Sequence, residues 1–520
     1  MGCTMLAWPA ALMAQSTDRY LRSQPATAER SLASGTSSNS TSSADVDTEL
    51  DGDDDASGAA TTSTANGKTG KTAKTGKTAN GRPSVATQPN ASAIGDETGQ
   101  APVSINEREK RLTGLEDEPV SDDFGRMNLR ESSVDGLTAR PLEDDDTTAG
   151  VRLGTFVLRP SVTQSIATES NRGGGTREDR TFLQTGLKGS LTSDWSRHQL
   201  IVTGDGVYQR NIAGEGETEP TANIDADLRL DLGEDTIAHV TAGYSFARED
   251  TDDPNAISNA DVQSGVHIVS GGLSLERDFG RLRGTTGVEL DRYFYSDAVL
   301  SDGTEVSLSD RNRTSGTLRG RIGYEWSPAL IPFLEASVGR SLYDERVDSA
   351  GYERSAYTYA AKGGVEVDLG EKLKGELGIG YREVVFDDSQ LDSIGAVTFD
   401  GSTTWSPQRG TDVTLRLQTT VDPSTTAGES GYVSYDTGVN IAHRLSDALI
   451  ARINGGTLWR VYPSGSLSDD ETIYSAGTGL TWGLNRYLDV VGDLGYERTA
   501  RKTNADSQVL RAGIGLTLKR

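Results

Sequence analysis

The stretch SGTLRGRIGYEW, residues 315 to 326, puts Leu318, Ile322, Tyr324 and Trp326 on one parity with Gly316 and Gly320. Thr317, Arg319, Arg321 and Glu325 take the other. A period of two sends alternate side chains to opposite faces of a strand. The same alternation recurs in KLKGELGIGYR (372 to 382), YTYAAKGGVEVDL (357 to 369) and QVLRAGIGLTL (508 to 518). These runs extend over about ten to fourteen residues, whereas strands of soluble sheets run to about five or six and membrane-crossing strands need about nine to eleven.

A soluble sandwich would have to bury the apolar faces and expose every mid-strand charge. A barrel in lipid satisfies both faces, with apolar side chains outward and charges toward water inside. A propeller needs four short strands per repeat and a recurring blade signature, and two long strands per repeat fit better. From residue 151 to the last residue there are about eighteen such segments, a porin-sized number. The fold expected is therefore all-β, a transmembrane antiparallel up-and-down barrel over 151 to 520.

Short connections alternate with long ones. The short ones include 192–198, 231–236, 276–281, 326–330, 368–373, 405–410, 443–449 and 483–488. Long connections are expected at 167–179, 249–263 and 296–310. Trp195, Phe279, Trp326, Trp405 and Trp482 cluster at the short turns, and Tyr208, Tyr244, Phe246, Tyr293, Tyr381, Tyr435 and Trp459 lie toward the long loops. Of these, Trp195, Phe279, Trp326, Trp405, Trp482, Tyr244, Tyr381 and Trp459 are expected to form girdles at the two membrane interfaces.

The rest of the chain has a different texture. The sequence has 520 residues, 34% of them hydrophobic, with a net charge of -26. Residues 16 to 150 are rich in Ser, Thr, Gly and acids such as DGDDD (51 to 55), and they show no apolar period. Such a segment cannot offset its ordering entropy, so disorder is expected. Residues 1 to 15 read as the back half of an export signal, with cleavage near Ala14. The single cysteine, Cys3, excludes a disulfide framework and cysteine-ligated metal. The acidic balance argues against a nucleic-acid partner. NGKTGKTAKTGKTANG (66 to 81) imitates the end of a P-loop, but the required glycine five positions upstream is missing each time.

The C-terminal run Arg511-Ala512-Gly513-Ile514-Gly515-Leu516-Thr517-Leu518 resembles the signal read by the outer-membrane barrel-insertion machinery, through Arg511, Gly513, Leu516 and Leu518. The region 151 to 520, with its opening LRPSVTQSIATESN (158 to 171), resembles the putative β-barrel porin family of alphaproteobacterial outer-membrane proteins. The resemblance implies a barrel in the outer membrane of a Gram-negative bacterium, in contact with lipid and lipopolysaccharide, with the N-terminal region periplasmic. It also implies a second reading, because some relatives are thought to pass exported polysaccharide.

By parity, the inward charges are Arg283, Glu289, Arg319, Arg321, Glu325, Lys362, Glu366, Lys374, Glu376, Arg382, Arg416, Asp436, Arg444, Arg452, Arg460, Asp493 and Arg511, with Asp291, Asp489 and Glu497. Charges so placed would line a polar pore or stiffen the wall as cross-strand pairs. The histidines His198, His239, His267 and His443 fall on separate strands or turns without metal-like spacing. No cofactor, metal site or enzymatic activity is expected. The acidic clusters 249–253 and 387–388 read as solvated loop tips rather than cation sites. The function expected is passive passage of small hydrophilic solutes, with polysaccharide export or a non-conducting structural or adhesive barrel as alternatives.

Overall fold

The computed structural model of the protein describes residues 150 to 520, apart from 215, 234, 467 and 504. The expected export signal, the acidic region up to 149 and the Gly-Lys-Thr repeats lie outside the described residues.

Eighteen long antiparallel strands form a closed barrel. The first six are β1 (Phe156–Gly173), β2 (Thr176–Ser193), β3 (Gln199–Ala213), β4 (Thr221–Asp231), β5 (Thr236–Arg248) and β6 (Gly265–Phe279). Next come β7 (Leu282–Tyr295), β8 (Arg313–Tyr324), β9 (Leu330–Tyr343), β10 (Ala356–Asp368), β11 (Leu373–Phe386) and β12 (Ile394–Gln408). The last are β13 (Thr411–Pro423), β14 (Gly431–Ser446), β15 (Leu449–Val461), β16 (Glu471–Asn485), β17 (Leu488–Arg501) and β18 (Ser507–Lys519). Each pairs with its sequence neighbours, and β1 closes on β18 from Ser161↔Lys519 to Gly173↔Ser507. Closure gives every strand a partner on both sides, which a wall facing hydrocarbon requires.

Strand lengths run from 11 residues in β4 to 18 in β1 and β2. Alternation holds along them. Ile322 is 63% exposed and Leu334 72%, whereas their neighbours on the opposite parity are covered. The exposed parity is the apolar outer face.

One end of the barrel carries turns such as 280–281, 409–410, 447–448 and 486–487, and the other carries the long connections 249–264, 296–312 and 344–355. The long connection expected at 167–179 is instead a hairpin. Gly174 and Gly175 make the whole turn at φ 57° and 86°, and the Thr176 hydroxyl donates to the Gly173 carbonyl at 2.7 Å. Two consecutive positive φ values match the right-handed twist of the flanking strands, so the charged residues around the glycines continue the strands.

The β12–β13 seam breaks the rule of continuous pairing. Its ladder covers only Gly401–Gln408 against Thr411–Leu417. Beyond it, the Thr419 hydroxyl takes over the bonding, accepting from the Phe399 N–H at 2.9 Å and donating to the Phe399 carbonyl at 3.1 Å. Val421 and Val433 share the parity of the outward Leu415 and Val439, yet they bury against Val384, Phe386, Ile394 and Ala396. Those four lie on the inner parity of β11 and β12. The tip of the β13–β14 hairpin therefore folds inside the wall.

Candidate functional site

The inner wall is built by strand parity. Arg283 and Glu289 on β7, Arg319 and Arg321 on β8, and Lys362 and Glu366 on β10 lie opposite the exposed apolar face. So do Lys374, Glu376 and Arg382 on β11, Arg416 on β13, Asp436 and Arg444 on β14, Arg452 and Arg460 on β15, Asp493 on β17 and Arg511 on β18. Glu325 sits just past β8 in a short turn and continues the inner parity.

These charges are organised into networks. Arg321 donates to Glu376 at 2.9 Å, lies 3.7 Å from Glu366 and 3.8 Å from Glu335, and stacks over Phe333 at 3.6 Å. Lys362 meets Glu335 at 3.1 Å from the other side. Arg283 reaches Asp278 at 3.0 Å and Glu276 at 3.3 Å. Arg511 donates to Gln184 at 2.7 Å, and Arg180 pairs with Glu169 at 3.1 Å. Glu335, Glu169 and Arg180 are inner-wall charges that the sequence reading did not single out. Their period-two spacing was a usable signal, but Ile331 and Phe333 are inward as well, which makes IPFLE apolar on both faces.

The long-loop end is narrowed from within. Segment 249–264 leaves β5 and reaches across the mouth, touching four distant parts of the wall and its loops. Glu249 accepts from Arg311 at 3.1 Å, and the Asp252 carbonyl accepts from Arg460 on β15 at 3.1 Å. The Asn255 amide donates to the Pro423 carbonyl at 3.2 Å, and its oxygen accepts from the Thr425 N–H at 2.8 Å. Near the far end, the Gln263 N–H donates to Glu217 at 2.6 Å. The β13–β14 tip beside it is gripped by buried Arg354, which donates to the carbonyls of Ser424, Thr426 (2.9 Å) and Glu429 (3.1 Å) and pairs with Asp348 at 2.5 Å.

The acidic run at 249–253 is thus not a solvated tip. Glu249 and Asp250 are each 4% exposed. Burial pushes the Glu249 carboxyl up to about 7 against the pull of Arg311, and burial likewise raises Glu217 to about 7 against the Gln263 N–H and Arg248. Elsewhere on the loops, the hydrogen bonds from Arg340 hold Asp387 below the usual carboxylate range, and Arg292 does the same for Asp344.

Trp195 and Trp326 stand in short turns, and Phe279, Trp405 and Trp482 face outward at the same end. Tyr244, Tyr381 and Trp459 share the outward parity nearer the long loops. Tyr293 does not join them: it is 1% exposed and packs inside under Arg313, 3.9 Å from its ring. The histidines stay apart, each with a local partner: His198 accepts from the Asp231 N–H, His239 meets Asp227, His267 meets Tyr244 and His443 meets Thr411.

The family described as putative beta-barrel porin 2 matches residues 146–520. Among solved structures, the outer membrane protein opdK from Pseudomonas aeruginosa is similar at 12% identity, with 70% of this chain and 99% of that chain covered and a TM-score of 0.36. OccK11 (OpdR) from the same organism is similar at 12% identity, with 70% and 96% covered and a TM-score of 0.35. The siderophore receptor PirA, also from Pseudomonas aeruginosa, is similar at 9% identity, with 70% and 80% covered and a TM-score of 0.34. Among curated proteins, none matches the chain.

Proposed function

Because the chain belongs to the family described as putative beta-barrel porin 2, we propose that it forms an outer-membrane pore for passive passage of small hydrophilic solutes. In this reading the short-turn end faces the periplasm, the long loops face outward, and lipid and lipopolysaccharide surround the apolar face. The insertion machinery recognises the last strand through Arg511, Gly513, Leu516 and Leu518. No catalytic step is assigned to the histidines.

The observation that carries the reading is segment 249–264 crossing the mouth of a closed wall whose inner face bears paired charges. Paired arginines and carboxylates replace part of a solute's hydration while keeping the wall polar, so solutes can enter without binding tightly enough to stay. A mouth narrowed by pinned loops suits small solutes better than a polymer. Swelling of liposomes containing the purified chain tests this. Monosaccharides should enter fast, with rates falling steeply for tri- and tetrasaccharides. Equal exclusion of all sugars would refute the proposal.

A further inference from the structure

Between loop residues Thr251 and Asp252 and the inner wall of β17, β18, β1 and β2 lies a cavity of about 210 Å³. At ~30 Å³ per water, that is the space of about seven waters, enough for a solute of monosaccharide size. We propose that this cavity is a subsite for a small polyhydroxylated solute, neutral or positively charged, that pauses there in transit. The inference rests on the porin reading and adds to it the place and the solute class.

The lining sets the class. Hydroxyls come from Thr176, Thr251 and Ser507, with Thr499 nearly covered behind them, and carboxylates from Glu178 and Asp252, with Glu497 nearly covered. Among the described residues the one guanidinium in the lining, Arg501, is held at 3.1 Å by Glu471, on the neighbouring strand. A hydroxylated solute can both donate to carboxylates and exchange bonds with hydroxyls, whereas an anion meets the exposed Glu178 carboxylate at the edge of the cavity. Among the described residues no cluster has the arrangement to hold a metal ion. Among the described residues no aromatic ring lines the cavity, and binding without ring stacking suits a station that must release its solute.

The test is single-channel recording of the purified full chain in KCl, with glucose, glucuronate or sucrose added from the long-loop side. Glucose at millimolar concentration should reduce the K⁺ current in a dose-dependent way, and glucuronate and sucrose should not. Glu178→Lys, at the exposed edge of the cavity, should weaken the glucose effect about tenfold and make the channel sensitive to glucuronate. Thr251→Val, a near-isosteric change on the exposed loop, should weaken glucose alone, and the temperature-dependent gel mobility of both variants checks that the barrel has formed. A K⁺ current indifferent to glucose, or equally reduced by glucose and glucuronate, would overturn the subsite while leaving the porin reading in place. A silent protein would overturn the porin reading and the subsite with it.

Discussion

Glu217 and Glu249 clamp the two ends of the segment that narrows the mouth, so conductance should follow pH. Both carboxyls move from 4.5 in an open loop to about 7 when docked. A raised carboxyl means that the docked loop binds more protons than the free loop between those two values. Docking is therefore fully favoured below about 4.5 and loses that support as pH rises through about 7. Each shift is worth roughly 3 kcal/mol at most. Arg311 and Arg313 near Glu249, and Arg248 and Arg180 near Glu217, temper it, with Asp253 and Glu219 acting in the opposite sense. Mean conductance and flicker in planar bilayers should rise from about pH 4.5 to about pH 7 and level off above that. Glu217→Gln with Glu249→Gln, which keep size but cannot ionise, should leave the loop docked and flatten the profile. A flat profile in the unaltered protein, or an unchanged one in the double variant, would refute the reasoning.

Three other perturbations have defined outcomes. Leu318→Arg puts a charge on the outer face at mid-strand, where it should cost about 2 to 4 kcal/mol, read as a lower midpoint of urea unfolding in lipid vesicles. Gly174→Val with Gly175→Val forces β-branched residues to positive φ, and at about 1 to 2 kcal/mol per residue should disrupt the β1–β2 turn, seen as new protease cleavage near 174. Arg354→Met removes the buried grip on the β13–β14 tip, a loss of about 3 to 5 kcal/mol for a broken buried pair, and should open 424–430 to limited proteolysis while the barrel keeps its gel mobility.

The strands were legible because a wall between lipid and water writes its two environments into alternate residues. Leu318 and Arg321 need no further context to be assigned to opposite faces. Legibility ended where that contrast fades. Ile331 and Phe333 turn inward beneath Arg321, so the parity around Glu335 is ambiguous in the sequence. The glycine-rich stretch near 174 resembles a loop in composition, although the alternation of Glu169 and Asn171 against Glu178 and Arg180 continues the strands on both sides. The narrowed mouth could not be read at all. Its bonds join residues remote in the chain, as with Arg460 and the Asp252 carbonyl, 208 positions apart, and Asn255 and Thr425, 170 apart. Neither partner carries a local pattern that names the other.

Single-channel conductance of the full chain, compared with a variant in which residues 251–262 are replaced by a short glycine-serine linker, tests the central claim most directly. A water-filled pore narrowed by that segment predicts discrete steps for the full chain and larger, less pH-dependent steps for the variant. Silence from both proteins, in vesicles where gel mobility shows a folded barrel, would contradict it.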